Sequence, residues 1–230
     1  MAFPYYVSPE QMMQDKAEYA KKGIAKGRSI IAMEYQDGIL IVADNPSTSL
    51  NKISEIYDSI AFLGAGRYSE FENLRKAGIR HADLKGYMYS REDVTAKSLA
   101  NAYSQALGTT FSQEVKPLEV EIAVVAVGEG GQSGEIYRIS FDGSITDERG
   151  FTVIGGRSEA IMLFLRDRYK VGVPLSDSLK LCTEAMESTT GQRLAVQSLE
   201  VAVLDRNRQG RKFRRLTTDE ITELLPPSAR

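Results

Sequence analysis

Residues 28–66 read RSIIAMEYQDGILIVADNPSTSLNKISEIYDSIAFLGAG, and this stretch decides the fold. Ser29–Tyr35 is mostly apolar and suits a strand, and the Asp37-Gly38 pair that follows is a strong hairpin signal. Ile39–Ala43 is a continuous apolar run, as expected for a strand buried on both faces. After a turn, Lys52 leads into a third short strand at Ile60–Leu63. We therefore predict a β-meander whose loops carry one lysine.

An amphipathic helix is predicted before the first strand, over residues 8–23. Ser8 is a good N-cap, Pro9 suits the first helical position, and Gln11 is placed to close a capping box. Gly23 is the natural end of the helix. The narrow apolar stripe of this helix is rich in small residues. It fits either a neighbouring protein surface or the chain's own sheet, and the sequence leaves both open.

Strands and pairs of helices alternate along the rest of the chain. Capping-box patterns at Ser69/Glu72 and Thr217/Glu220 mark two of five further helices, predicted at residues 69–85, 93–115, 158–169, 175–189 and 217–225. Apolar runs predict strands at residues 120–127, 136–141, 151–154, 198–204 and 212–216. This order favours an α+β fold, because a parallel βαβ sheet would alternate single strands with single helices.

Two antiparallel sheets packed face to face, each covered by a pair of helices, would bury every apolar face. We therefore predict a four-layer αββα sandwich with an added N-terminal helix. Residues 1–230 are expected to form a single domain, with a short segment at 1–7 before the helix and a frayed tail at 226–230.

The composition is that of an ordinary cytosolic globular protein. The net charge of −2 gives no indication of a nucleic acid or an anionic membrane as partner. A single cysteine, Cys182, rules out an internal disulfide and suits a reducing compartment. No apolar run approaches the length of a membrane span, and the N-terminus lacks the pattern of a signal peptide. We expect a cytoplasmic location and no membrane partner.

The order of hairpin, Ala-Asp-Asn loop, Lys-Ile pair and third strand resembles the opening sheet of the proteasome family, which has the N-terminal-nucleophile hydrolase fold. In the active β-type subunits of that family, a threonine freed by cleavage after a glycine begins the first strand. An acidic residue ends the second strand, and a lysine completes the site. Gly27, Asp44 and Lys52 match the glycine, the acid and the lysine. The nucleophile position falls on Arg28.

Arg28 has no hydroxyl to attack an amide, and residues 1–27 before it look like structure rather than a propeptide. An N-terminal nucleophile also needs its own free α-amine as base. The resemblance therefore implies an α-type subunit with the same fold and no catalytic residues. The leading helix agrees, because α-type subunits have one and β-type subunits do not. The short lead-in to Pro9 looks closest to actinobacterial α subunits.

The resemblance also implies partners and binding residues. α-type subunits form a seven-membered ring, cap a ring of β-type subunits, and receive the C-terminal carboxylate of an ATPase activator in a pocket between neighbouring α subunits. Lys52 matches the lysine of that pocket, and a compact ammonium with three donors suits a free carboxylate. Gly66 matches a glycine that lines the same pocket, where a bare backbone leaves room to donate to the tail.

The first seven residues are a candidate gate, because in the family this segment plugs the axial pore. The segment departs from the archaeal and eukaryotic pattern, since Tyr5-Tyr6 stands where those subunits have Tyr-Asp-Arg. A merely disordered tail is the alternative. The candidate gate residues are Phe3, Pro4, Tyr5, Tyr6 and Val7, with Pro9 as the family's proline just before the helix.

Other motifs carry less information. The glycine-rich stretch at residues 128–134 is interpreted as a hairpin loop, because a strand follows it rather than a helix. Gly155-Gly156 favours close packing over an anion site at a helix N-terminus. The basic run Arg211–Arg215 is interpreted as a solvated edge strand. His81 is the only histidine, which excludes His-based triads and metal sites. We expect neither metal nor cofactor.

Two other function classes stay open from the sequence. One is a free-standing N-terminal-nucleophile amidohydrolase, for which Ser29 is the only hydroxyl near the nucleophile position. The other is a generic α+β binding module. Arg28 and the upstream helix argue against the first, and the composition is compatible with the second.

Overall fold

The computed structural model of the chain describes residues 8–128 and 132–225, and these ranges hold ten strands and six α-helices. The strands are β1 (Ile30–Tyr35), β2 (Gly38–Asp44), β3 (Ile53–Tyr57), β4 (Ile60–Gly66), β5 (Val120–Ala126), β6 (Glu135–Ile139), β7 (Ile145–Glu148), β8 (Phe151–Ile154), β9 (Leu199–Asp205) and β10 (Phe213–Arg215). The helices are α1 (Pro9–Ala25), α2 (Tyr68–Met88), α3 (Ala96–Gln113), α4 (Ser158–Arg166), α5 (Leu175–Thr190) and α6 (Thr218–Leu224).

The strands form two five-stranded antiparallel sheets. The first sheet has the order β10-β9-β2-β1-β8, and the second has the order β3-β4-β5-β6-β7. β2 lies at the centre of the first sheet and is buried on both faces from Gly38 to Ala43. A strand at that position needs apolar side chains on both faces, which explains its unbroken apolar run.

Three layers of apolar side chains hold the elements together. Side chains from both sheets, such as Ile41 and Leu63, fill the space between them. The outer face of the first sheet packs on α4 and α5, where Cys182 is fully buried. The outer face of the second sheet packs on α2 and α3, with Phe62 against Tyr103. The predicted α+β four-layer αββα sandwich with an N-terminal helix is confirmed.

The predicted β-meander is wrong in one respect. β1 and β2 belong to the first sheet, but the chain then crosses over residues 45–52 and continues in the second sheet as the β3–β4 hairpin. Ile53–Tyr57 is itself a strand, which the prediction passed over because Ile53 and Ile56 are three residues apart and give no period-two alternation. Lys52 therefore lies where the chain enters the second sheet.

A second strand was also missed. β7 is a polar edge strand whose first three residues are exposed, so no hydrophobic pattern marks it. It pairs with β6 alone, which is why backbone pairing rather than burial defines it.

Two predicted helix starts differ from the structure. The Ser69/Glu72 capping box does not form, because α2 begins one residue earlier and Glu72 instead pairs with Arg75 one turn on. α3 begins at Ala96, where the Thr95 side chain accepts a hydrogen bond from a backbone N–H. Capping side chains compete locally, and the geometry of the preceding strand decides which of them is used.

The outer helices follow the predictions more closely. α1 continues to Ala25, two residues beyond Gly23, and the Ser8 side chain accepts from the Gln11 backbone N–H at 3.2 Å. The reciprocal half of that box is absent, because the Gln11 side chain donates to Asp15. The complete capping box predicted for Thr217 and Glu220 is present at the start of α6.

α1 packs on the body of its own chain. Ala20 and Ile24 are buried against Phe141 and Phe111, and the Lys16 ammonium donates to the carbonyl of Glu114 at 2.7 Å. This contact matches the own-sheet alternative for its small-residue stripe. None of the helices in the described ranges is both long and apolar enough to cross a membrane.

Candidate functional site

The candidate site surrounds the segment Gly27-Arg28, which leads from α1 into β1. The Lys52 ammonium donates to the Arg28 carbonyl oxygen at 3.0 Å. One guanidinium nitrogen of Arg28 contacts both carboxylate oxygens of Asp44, at 2.8 and 2.9 Å. Arg28 precedes β1, Asp44 is the last residue of β2 and Lys52 directly precedes β3, and the structure brings all three together as the sequence resemblance implied.

Lys52 is a partly buried cation. Burial lowers its pKa from the ordinary 10.5 to about 8, because desolvation disfavours the charged ammonium. The carboxylates of Asp44 and Glu200 oppose that shift, and the Arg28 guanidinium adds to it. A lysine in this setting is still mostly protonated at neutral pH, and it has lost part of its hydration. It is therefore suited to binding a carboxylate.

The site lacks the parts of an N-terminal nucleophile. Arg28 carries no hydroxyl, and in this chain its backbone nitrogen belongs to a peptide bond rather than to a free amine. Ser29, the nearest hydroxyl, is buried and donates to the Gly156 carbonyl oxygen at 2.5 Å. The arrangement can bind an anion, but it offers no free α-amine and no exposed hydroxyl at the nucleophile position.

Gly66 lies beside Gly27, the residue before Arg28. Its φ is +99°, and a Cβ atom there would lie 2.0 Å from the Glu119 carbonyl oxygen. A Cβ on Gly27 would lie 3.1 Å from the Gly66 nitrogen. Glycine at position 66 is thus required by backbone conformation and by close approach, whatever its part in binding.

Gly155 and Gly156 seal the inner wall of the site. The Gly156 N–H donates to the Gly27 carbonyl at 3.0 Å, and a Cβ on Gly156 would lie 2.3 Å from that oxygen. The Gly155 N–H donates to Glu121 at 2.9 Å. Burial raises the pKa of Glu121, while this hydrogen bond and Arg138 lower it. This geometry agrees with the close-packing interpretation of the glycine pair.

A cavity of about 490 Å³ opens beside Arg28. Its wall includes Asp44, Arg157 directly before α4, and Arg193 shortly after α5. Arg157 is the only residue other than glycine with a positive φ, at 61°, in the part of the chain that the structure describes. Sequence reasoning missed both arginines, because they are distant in sequence and belong to no motif.

Glu200 is a further residue that the sequence analysis missed. It lies in β9, and its side chain accepts hydrogen bonds from the backbone N–H groups of Lys52 and Ile53, at 2.9 and 3.1 Å. One signal was available, namely a single acidic residue inside the apolar run Leu199–Leu204. A charged residue in the centre of a buried strand is rarely left without partners.

The candidate gate residues Phe3, Pro4, Tyr5, Tyr6 and Val7 lie outside the described residues. Pro9 occupies the first position of α1, directly after the Ser8 cap. Within residues 8–128 and 132–225, no group of three or more His, Cys, Asp or Glu side chains is arranged to hold a metal ion.

Sequence comparisons find relatives that match the chain from end to end. The family profile described as "Proteasome subunit" matches residues 24–204. The chain is 53% identical over 230 residues to "Proteasome subunit alpha" of Thermomonospora curvata, with all of both chains covered. It is 52% identical over 227 residues to the protein of that name from Thermobifida fusca, covering 98% of this chain and 91% of the relative. The corresponding protein of Frankia alni is 50% identical over 238 residues, covering 100% and 99%. The resemblance drawn from strand order is confirmed.

Proposed function

Since this chain belongs to the proteasome subunit family, we propose that it is a non-catalytic α-type subunit of a 20S-like proteasome core. The observation that carries the proposal is Arg28. It occupies the nucleophile position, is joined to the preceding residue by a peptide bond, and is bound through its side chain to Asp44. The buried, hydrogen-bonded hydroxyl of Ser29 gives no support to the alternative of a free-standing amidohydrolase.

In this proposal the chain assembles with copies of itself into a heptameric outer ring and caps β-type subunits of a threonine-type endopeptidase. The ring restricts entry to the proteolytic chamber, supports protein degradation and lies in the cytoplasm. Full-length similarity to relatives named as α subunits supports the assembly. The exposed side of α1, with Met12, Met13 and Tyr19, offers an apolar surface for neighbouring subunits.

We further propose that the C-terminal tail of an ATPase activator docks beside Gly27-Arg28. Lys52 supplies a partly desolvated ammonium for the tail carboxylate, and Gly66 keeps the wall of the site free of side-chain atoms. The support for this docking site is geometric, since the two residues flank the same backbone segment. The residues of the neighbouring α subunit complete the pocket.

A preparation of this chain free of β subunits is expected to hydrolyse no peptide substrate, because the nucleophile and its amine base are both missing. The measurement is the release of a fluorophore from short peptides, with the chain reassembled with its β subunits as the positive control. Turnover that follows this polypeptide through extensive purification, and survives removal of every β subunit, contradicts the non-catalytic assignment.

Deleting residues 1–7 is expected to raise the rate at which the assembled particle degrades a long unstructured peptide. The segment contains Phe3, Tyr5 and Tyr6 immediately before the capped start of α1, where bulky side chains can obstruct a pore. A variant shortened by residues 226–230 is the matched control for trimming a terminus. Equal degradation rates for the deletion variant and the parent would show that the segment has no gating role.

A further inference from the structure

We propose that Glu200, together with Arg215, is the positioning residue that sets the place and orientation of Lys52. This inference deepens the proposed function and rests on it only for the consequence to activator binding. Glu200 projects from β9 in the first sheet, and its side chain is 8% exposed. Two of its partners lie in the loop that carries the chain to β3 in the second sheet, a third is the first residue of β3, and the fourth lies in β10.

The Glu200 carboxylate accepts hydrogen bonds from four groups among the described residues. Two are the backbone N–H groups of Lys52 and Ile53, at 2.9 and 3.1 Å. The third is the Asn45 side-chain amide at 2.7 Å, which also donates to the Leu50 carbonyl at 2.6 Å. The fourth is the guanidinium of Arg215. A buried carboxylate with this many donors has replaced its water with fixed partners.

Arg215 completes the contact from the opposite direction. Its second terminal nitrogen donates to the Ile53 carbonyl oxygen at 2.7 Å. The ion pair of Glu200 and Arg215 therefore holds both the N–H and the C=O of Ile53, and it holds the N–H of Lys52 as well. The planar guanidinium allows one side chain to bind a carboxylate and a carbonyl at once.

These contacts decide where the Lys52 ammonium can go. Lys52 lies in a connection between two sheets, and such connections are more mobile than the elements they join. With its own N–H and both backbone groups of the next residue bound, the Lys52 backbone has little freedom. Its side chain then starts from a defined point and reaches the Arg28 carbonyl at 3.0 Å.

The basic run Arg211–Arg215 contributes to the same contacts between the two sheets. The run was interpreted from the sequence as a solvated edge strand, and Phe213–Arg215 does form the edge strand β10. In addition, Arg211 pairs with Glu55 of β3, and the Lys212 N–H donates to the Asp58 carbonyl at 2.7 Å. The run therefore joins the edge of the first sheet to the β3–β4 hairpin of the second.

Glu200→Gln tests the proposal, since glutamine keeps the volume and removes the charge and one acceptor oxygen. Glu55→Gln is the matched control, because it removes a carboxylate of β3, two residues after Ile53, that makes no contact to the Lys52 or Ile53 N–H groups. Both variants are made in the full chain, and their melting temperatures are compared. Hydrogen exchange is then followed at the Lys52 and Ile53 amides by NMR or mass spectrometry.

The exchange of these two amides is expected to become roughly tenfold to hundredfold faster in Glu200→Gln, as for loss of a hydrogen bond to a charged group. It should be unchanged in Glu55→Gln. Unchanged exchange at both amides in Glu200→Gln overturns the proposal. Acceleration at all core amides alike also overturns it, since that result is loss of general stability rather than of position.

The pH profile of Lys52 acetylation by N-hydroxysuccinimidyl acetate gives a second measurement. The charged groups that act on Lys52 are Asp44, Glu200 and Arg28. If Lys52 leaves its position, it becomes hydrated, and the midpoint of its reactivity rises from about 8 towards 10.5. If Lys52 stays in place and only loses a nearby negative charge, the midpoint falls. A rise supports positioning, and a fall overturns it.

Binding of a peptide with the last eight residues of the organism's proteasomal ATPase separates the two proposals. Weaker binding to Glu200→Gln and to Lys52→Ala particles supports both. If the amides and the acetylation midpoint respond as expected but neither variant changes peptide binding, the positioning role stands and the activator site fails. In a third outcome, Lys52→Ala weakens peptide binding, while Glu200→Gln changes neither the amide exchange, nor the acetylation midpoint, nor peptide binding. The activator site then stands and the positioning role is wrong.

Discussion

Particles assembled with the Lys52→Ala chain are expected to bind the activator's C-terminal tail roughly two orders of magnitude more weakly than the parent, while their assembly and small-peptide hydrolysis stay unchanged. A carboxylate that leaves water for a partly buried site loses hydration, and a cationic donor must offset that loss. Truncating one member of such a charge pair costs about 2–5 kcal/mol. About 3 kcal/mol corresponds to slightly more than a hundredfold in Kd.

The measurement is fluorescence anisotropy of the tail peptide, made once with a free carboxylate and once as the C-terminal amide. The amidated peptide should bind the parent particles weakly, and its Kd should be the same for the parent and for Lys52→Ala particles. Lys97→Ala, which removes an exposed lysine of α3 that does not line the cavity beside Arg28, is the matched control. Lys52→Arg is expected to bind the tail more tightly than Lys52→Ala but more weakly than the parent, because the planar guanidinium does not replace a compact ammonium.

The same interaction should depend on pH in a definite direction. The pKa of Lys52 is lowered to about 8, so the ammonium is present below that pH and is lost above it. Tail affinity should therefore be level near neutral pH and fall as the pH rises through about 8. Lys52→Ala should abolish this dependence. If Lys52 is purely structural, the alanine variant will melt lower or assemble poorly, and tail affinity of the intact rings will be unchanged.

Gly66→Ala is expected to destabilise the isolated chain by about 3 kcal/mol or more. The φ of +99° already disfavours any residue with a Cβ, and that atom would lie 2.0 Å from the Glu119 carbonyl oxygen. This oxygen cannot simply move aside, because it accepts a hydrogen bond from the Arg67 N–H at 2.9 Å. For a chain of this size the change corresponds to a fall in Tm of roughly 6–12 °C.

Gly191→Ala is the matched control for this substitution. Gly191 also has a positive φ, of 66°, but no atom lies within 4 Å of a Cβ placed there. Its replacement should therefore cost only the conformational part, about 1–2 kcal/mol. Thermal unfolding of both variants is compared at one protein concentration, since assembly shifts the apparent Tm. Equal Tm values for the two variants contradict the collision at position 66.

Much of the candidate site was predictable because its chemistry depends on residue types at fixed spacings. The absence of a hydroxyl at Arg28, the acid at Asp44 and the lysine at Lys52 are properties of the chain itself, and the structure places the three together. The gate prediction for Phe3–Val7 lies outside the described residues and stays a prediction. The contacts of Glu200 were not predictable, because Asn45, Lys52 and Ile53 are 147–155 residues away from it in sequence.

The sequence by itself determined which segments form strands and helices, wherever their burial is strong enough to impose a pattern. Ile39–Ala43 of β2 and Ile122–Ala126 of β5 are unbroken apolar runs, and each strand is flanked by strands on both sides within its sheet. Local capping chemistry also sufficed at Thr217 and Glu220, three residues apart. The lack of a nucleophile at Arg28 is likewise a statement about the sequence alone.

Only the tertiary structure decided how these segments share two sheets. Nothing local in residues 45–52 indicates that the chain leaves one sheet for the other, because that choice depends on which strands pair at long range. Glu200 and Lys52 are 148 residues apart in sequence, and they meet because β9 and β3 are stacked across the core. The position of the candidate lysine is therefore a property of the packed sandwich, since the hydrogen bonds that hold it form only after both sheets are in place.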